Sequence, residues 1–126
     1  MLENTKAYSG FAVDDVDKAR AFYAETLGLP VSEAPGGLIV TLAGGRDTLI
    51  YHKPDFEPAT YTILNFEVPD AEATVDELNS RGIEMERYEG FDQDEKGIVR
   101  APGFPTGAWF TDPAGNILVV HEPMSA

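Results

Sequence analysis

Cysteine is absent from this chain of 126 residues. That excludes disulfides, thiolate metal sites and cysteine nucleophiles. No apolar run approaches the ~18 residues of a membrane span. The first residues, MLENTKAYSGFAV, have no basic segment leading into an apolar one, so no signal peptide is expected and a cytoplasmic location is. Basic residues are scarce: 9 Lys and Arg stand against 22 Asp and Glu, for a net charge of −13. A field of that sign repels phosphate backbones, which argues against nucleic acid as a partner and favours cationic ligands. There is no phosphate-binding Gly-Lys loop, no G-x-S-x-G elbow and no dinucleotide fingerprint. The length is that of one domain, large enough to bury a core unaided.

What is present is an echo. LIYHKP at 49–54 is answered by LVVHEP at 118–123, and the two carry the only histidines, His52 and His121. Upstream, SGFAVDD (9–15) is answered by LNFEVPD (64–70), both reading F-x-V-x-D. A helical stripe follows each: Val16, Ala19, Tyr23 and Leu27 in the first, Ala71, Val75 and Leu78 in the second. Asp14 or Asp15 can cap the first helix and Asp70 the second, while Gly28 and Gly82 suit the left-handed residue that ends a helix. Runs with strand character come next. The first half has LPVSEA, GLIVTLA and DTLIYH; the second has IEMERY, TGAWFT and NILVVH, the last two joined by a DPAGN turn around Pro113 and Gly115. Each half therefore reads β-α-β-β-β.

Val13 and Val68 lie 55 residues apart, His52 and His121 lie 69 apart, so the second half holds 14 extra residues. They fall largely in EGFDQDEKGIVRAPGFP (89–105), rich in Gly, Pro and charge, which reads equally as a lid over a pocket or as a floppy excursion. One small sheet with one helix leaves its other face bare. The expectation is an α+β fold: two paired βαβββ modules, about 5–55 and 60–123 of a single domain, whose curved mixed sheets surround a trough, with one helix per module outside.

AVDDVDKARAFYAETLGLPV resembles the first-module signature of the vicinal oxygen chelate superfamily, and AWFTDPAGNILVV resembles its C-terminal signature. That superfamily includes glyoxalase I, bleomycin-resistance and fosfomycin-resistance proteins and extradiol dioxygenases. The resemblance covers nearly the whole chain and implies the paired-module fold, within one chain or across a homodimer. It also implies four metal-ligand positions, one on the first and one on the last strand of each module. Carried over residue by residue, these fall on Tyr8, Ile63 and Val119, with the remaining one on Ile50 by the internal repeat or on Tyr51 by direct comparison. Hydrocarbon side chains offer no lone pairs, and phenols are poor ligands for divalent ions near neutral pH. No metal or other cofactor is expected on that set.

Strands alternate faces, so residues two positions from a trough-facing one share its face. Tyr8, Gly10, Ile63, Asn65, Glu67, Ile117, Val119 and His121 should then line the trough, joined by Ile50 and His52 on the repeat register; if Tyr51 is the true equivalent, His52 turns outward. Of Trp109 and Phe110, one should meet the helix and the other the trough. Glu67 is a candidate base or cation holder, and His52 and His121 are candidate bases or hydrogen-bond partners. The favoured expectation is a metal-independent binding protein for a small cationic or aromatic molecule. The competing one is an enzyme of the same superfamily, a lyase, isomerase or dioxygenase-like protein, using Glu67 or a histidine as base or an atypical metal site.

Overall fold

The computed structural model describes residues 1–124, and its backbone divides into two compact units, Met1–Pro58 and residues 59 onward. The first unit holds a four-stranded mixed sheet. Its strands are β1 (Ser9–Val13), β2 (Val31–Ala34), β3 (Gly37–Leu42) and β4 (Arg46–His52), in the spatial order β1-β4-β3-β2. β1 runs parallel to β4, and the other pairings are antiparallel. Helix α1 (Val16–Arg20) starts where the Asp15 carboxylate accepts a hydrogen bond from the Lys18 amide at 3.1 Å. It continues as a π-helical stretch, Ala21–Thr26, and stops at Gly28, whose φ is 74°.

The wider π turn changes which residues face inward. An undistorted helix buries a stripe that includes Val16 and Leu27, but here both are half-buried, and adjacent Phe22 and Tyr23 are buried together. Their rings meet edge to face at 5.0 Å, and Tyr23 reaches the Phe11 ring of β1 at 5.9 Å. Phe11, Ile50 and Leu38 are lateral partners across β1, β4 and β3, so all three stand on the side that receives the helix.

The second unit holds a three-stranded sheet of β5 (Thr62–Glu67), β6 (Gly107–Thr111) and β7 (Ile117–His121), in the order β5-β7-β6. β5 is parallel to β7, and β6 is antiparallel to it. Helix α2 (Ala71–Ser80) begins at Asp70, whose carboxylate accepts from the Ala73 amide at 3.0 Å, and buries Ala71, Val75 and Leu78 against β6 and β7. Burying a Val or Leu side chain stabilises by about 1.5–3 kcal/mol, so this stripe, rather than intrinsic propensity, holds a helix of this length.

IEMERY forms no strand. A single bridge joins Glu86 to Trp109, with the Glu86 amide donating to the Trp109 carbonyl at 2.7 Å. The groups that would extend the ladder are taken by one side chain: the Gln93 amide donates to the Glu86 carbonyl and accepts from the Tyr88 amide, both at 2.9 Å. Gln93 thus substitutes for a paired strand, and the backbone turns off into the 89–105 segment.

That segment is anchored rather than a floppy excursion. Ile98 and Val99 are buried, and Val99 bridges Gly107 through two backbone hydrogen bonds of 2.8 and 3.2 Å. Lys96 reaches Asp76 at 2.9 Å and Arg100 reaches Glu72 at 2.7 Å, fastening the segment to α2.

Candidate functional site

In each unit the sheet face turned away from the helix is where chemistry can be presented. On the second sheet, lateral pairing sets out rows on that face: Asn65, Val119 and Trp109 in one, Glu67, His121 and Gly107 in the next, Thr62, Ile117 and Thr111 in a third. Leu64, Phe66, Leu118, Val120, Ala108 and Phe110 occupy the opposite, helix-facing side. Asn65, Glu67, Ile117, Val119 and His121 therefore share one face, and Trp109 joins them while Phe110, 1% exposed, meets the core. Ile63 sits at an irregularity of register between Thr62 and Leu64, so Thr62, not Ile63, occupies the place opposite Ile117.

The first sheet corrects the register taken from the echo. Ile50 is 0% exposed and stands beside Phe11 and Leu38 on the helix side, so it is a core residue. His52 pairs laterally with Val13 and belongs to that same side, exposed only because it lies at the strand's end. The face away from the helix carries Gly10, Ala12, Leu49 and Tyr51, and Tyr51 is 40% exposed. Tyr8, also exposed, immediately precedes β1. A pair of glycines explains the error. Tyr51 pairs with Gly37 as His121 pairs with Gly107, and each glycine lies so close to the facing backbone that a Cβ would collide with it. The structural equivalent of His121 is thus Tyr51, and that of Val120 is Ile50. The two histidines stand on opposite sides of their respective sheets.

A hollow of about 160 Å³ opens on the face of the second sheet. Its floor is Val119, Trp109 and Gly107, with Thr62, Asn65 and His121 as polar groups, and Val99, Phe104, Pro105 and Met124 form its rim. Gly107 leaves room beside the imidazole, since a Cβ there would lie 2.9 Å from that of His121. Of the inserted segment's aromatic rings Phe104 lines the hollow; outside the lining, Phe91 meets Trp109 edge to face at 4.8 Å and Phe104 at 6.0 Å, while Tyr88 meets Trp109 at 5.3 Å. Burial, aided by the Glu86 charge, pushes the Tyr88 phenol above its usual range, so it stays neutral beside Trp109.

His121 is 7% exposed, and its Nδ1 lies 2.7 Å from the Glu122 carbonyl oxygen. A carbonyl can only accept, so Nδ1 carries the proton, and in the neutral ring Nε2 carries a lone pair. Glu67 is exposed and stands beside His121 on the same face without lining the hollow. The turn leading into β7 is fixed by the buried Asp112 carboxylate, which accepts from the Ala114 and Asn116 amides at 3.0 and 2.8 Å and from the Asn116 side chain at 3.0 Å. This network sets where Ile117, Val119 and His121 begin.

Beneath the rim, Asp94 organises the inserted segment. Burial is the largest influence on its carboxyl and would raise it, but the Ile98 and Lys96 amides and the Arg100 guanidinium together hold it below the usual carboxylate range.

Sequence reasoning missed Thr62, Gly107 and the rim residues Val99, Phe104, Pro105 and Met124. The 70-residue spacing of Gly37 and Gly107, matching that of Tyr51 and His121, was the one available signal for Gly107 and for the true register. The register irregularity at Thr62 and the fold of 99–105 have no periodicity that announces them.

The four positions that the resemblance implies for metal ligands fall on Tyr8, Ile50 or Tyr51, Ile63 and Val119. They offer hydroxyls and hydrocarbon, with no carboxylate or imidazole among them, and do not fit a divalent cation. Among the described residues no group of three or more His, Asp or Glu converges as a metal site would require.

The family model described as Glyoxalase/Bleomycin resistance protein/Dioxygenase superfamily matches residues 7–120. Among solved structures, the antibiotic-binding protein TnmS3 from Streptomyces sp. CB03234 is 24% identical, with a TM-score of 0.70 over 96% of this chain and 98% of that one. A glyoxalase family protein from Enterococcus faecalis is also 24% identical, with a TM-score of 0.67 over 97% and 100%. The fosfomycin resistance protein FosX from Listeria monocytogenes, in a mutant form complexed with Mn(II), is 15% identical, with a TM-score of 0.68 over 96% and 91%. No curated protein sequence matches the chain.

Proposed function

The chain belongs to the glyoxalase/bleomycin resistance protein/dioxygenase superfamily, and we propose that it is a metal-independent binding protein for a small, largely planar aromatic or cationic molecule. The observation that carries the proposal is the hollow on the second sheet, lined by the aromatic rings of Trp109 and Phe104 and supplied with a few polar groups. Aromatic walls hold planar and cationic guests through stacking and cation–π attraction, and few, well-placed polar groups orient them. Sequestration requires no reacting group, which agrees with a donor set unsuited to a metal. Asn65, His121 and Thr62 contribute hydrogen bonds, Trp109 and Val119 the contact surface, Tyr51 and Glu67 lie on the corresponding faces of their own units, and Tyr8 immediately precedes β1. The negative charge raises the local concentration of cationic guests. We place the protein in the cytoplasm, as a homodimer and as a single paired-module domain.

Trp109 is the only tryptophan, so its emission reports directly on the hollow. Titration with proflavine, a planar aromatic cation, should give saturable quenching that persists at 1 M salt, where the Debye length falls to ~3 Å and the general field is screened. Val119→Arg should abolish it. Quenching that vanishes with salt, or that survives Val119→Arg, would show attraction to the acidic surface and sink the proposal. The absence of a metal requirement is checked by a melting series: a divalent ion at 100 times its Kd should raise stability by about 2.7 kcal/mol, and a shift of that size with any ion would overturn metal independence.

A second reading is favoured by one feature, the lone pair on His121 Nε2 with Glu67 alongside. As an enzyme, the protein would use His121 or Glu67 to move a proton on the bound molecule. His121→Ala or Glu67→Gln would then abolish turnover with affinity nearly intact, whereas a pure binder returns its ligand chemically unchanged.

A further inference from the structure

We propose that the ligand carries a hydrogen-bond donor, a hydroxyl or N–H attached to its aromatic ring, which it delivers to Nε2 of His121; this rests on the binding reading above. His121 is 93% buried, yet among the described residues its imidazole has only one hydrogen-bond partner, the Glu122 carbonyl on Nδ1. Among the described residues, no buried side-chain nitrogen or oxygen lacks a hydrogen bond. Nε2 makes none, so it must be reachable from outside, and the hollow that His121 lines is the opening. Its chemistry there is fixed from behind. The Glu122 carbonyl holds the Nδ1 proton, so that in the neutral ring Nε2 is the acceptor.

The surroundings complete the selectivity. No Lys or Arg lines the hollow, so nothing there compensates an anionic guest, while Glu67 stands on the neighbouring strand beside His121. Asn65 and Thr62, on the β5 side of the hollow, can each donate as well as accept, which makes His121 the one group committed to receiving a proton donor. The volume, about 160 Å³, is on the scale of the ~150 Å³ apolar cavity that takes up one benzene. A single ring or small bicycle enters against Trp109, and any larger remainder projects past Phe104 and Met124 into solvent. The inferred ligand class is therefore a neutral or cationic phenol-like or indole-like aromatic, as against an aromatic carboxylate or an ether lacking the donor.

Three matched probes test this by calorimetry, with proflavine as the control for the hollow itself: 2-naphthol, 2-methoxynaphthalene and 2-naphthoate. Naphthol should bind at least about tenfold more tightly than its methyl ether, the ratio that loss of one hydrogen bond to a buried acceptor produces. Naphthoate should bind most weakly. His121→Phe should erase the naphthol–ether difference, and His121→Gln, which still offers an amide oxygen, should retain part of it; unchanged far-ultraviolet dichroism and Trp109 emission certify both variants as folded. Equal affinity for naphthol and ether, a difference that survives His121→Phe, or a preference for naphthoate, which would make Nε2 a donor, overturns the inference. If proflavine binds and none of the naphthalenes does, the donor inference fails while the binding reading stands. If proflavine fails as well, both fall.

Discussion

The two units share one plan and spend it differently. In each, a parallel pair of first and last strands lies beside an antiparallel partner, and a glycine on that partner lets the last strand pass at close range: Gly37 under Tyr51, Gly107 under His121. The first unit adds a full fourth strand, β2, at the far edge. The second gives up that strand for one bridge at Glu86 and uses the freed chain to build an aromatic rim over its sheet. Duplication thus preserved the framework, and the difference in one edge strand frees the chain that rims the hollow of the second unit.

The most damaging way to break the comparison is at the glycines. Gly37→Ala places a Cβ into the Ile50 carbonyl, and Gly107→Ala places one 2.5 Å from the Val120 carbonyl. Backbone cannot yield as a flexible side chain does, so each substitution should cost on the order of 4 kcal/mol or prevent folding, with Gly37→Ala the worse. Urea unfolding decides it; a loss under 1 kcal/mol at both positions would mean that the shared close approach is not a structural requirement.

The next test separates residues that the sequence echo makes equivalent. Ile50 and Val119 stand at the same position in the naive alignment of LIYHKP with LVVHEP, yet Ile50 is enclosed and Val119 is half-exposed at the hollow. Ile50→Ala should cost about 2–5 kcal/mol and leave proflavine affinity unchanged once the variant is folded. Val119→Ala should cost under about 1 kcal/mol and alter proflavine affinity. The reverse pattern would restore the register that the structure rejects.

Gln93 is the third point of leverage. Its amide satisfies Glu86, Tyr88 and the Gly97 carbonyl, the last at 2.8 Å. Gln93→Leu leaves three backbone groups without that partner and should cost about 2 kcal/mol. Amide exchange should quicken at Tyr88 and in the 89–105 segment, while the sheet of the first unit is untouched. Equal acceleration throughout the chain would show global destabilisation instead of a local strap.

These contrasts also show where sequence reading was sufficient and where it was not. The helix of the second unit was legible down to its cap, because Asp70, Ala71, Val75, Leu78 and Gly82 each follow a local rule. The alternation Leu64, Phe66 against Asn65, Glu67 fixed the two faces of β5 for the same reason. The register of β4 was not legible: His52 and His121 align by identity, but the face of a strand depends on its lateral neighbour, and Tyr51 opposite Gly37 is a long-range fact. IEMERY has strand character by composition, and it lost its ladder to a side chain seven residues away, Gln93, which no propensity registers. The hollow depends on the second of these, since its rim is built from the chain that the missing strand releases.

The smallest expected effect tests whether the rim is held by charge. Asp94 is held below the usual carboxylate range in the folded chain despite its burial, by the Ile98 and Lys96 amides and by Arg100. A depressed folded value means that the folded form binds fewer protons than the unfolded one, so this contribution is fully present above the unfolded value near ~3.9 and is lost as pH falls through the lower folded one. Between pH 5 and 7 the rim should be constant. Below about pH 4 it should loosen ahead of the sheet, seen as a change in Trp109 emission, because Phe91 and Phe104 then leave the indole while far-ultraviolet dichroism holds. Asp94→Asn should shift that emission change to neutral pH or remove it. The first unit has no tryptophan and no such segment, so a sheet signal that moves with the emission would show both units melting together and the strap contributing nothing of its own.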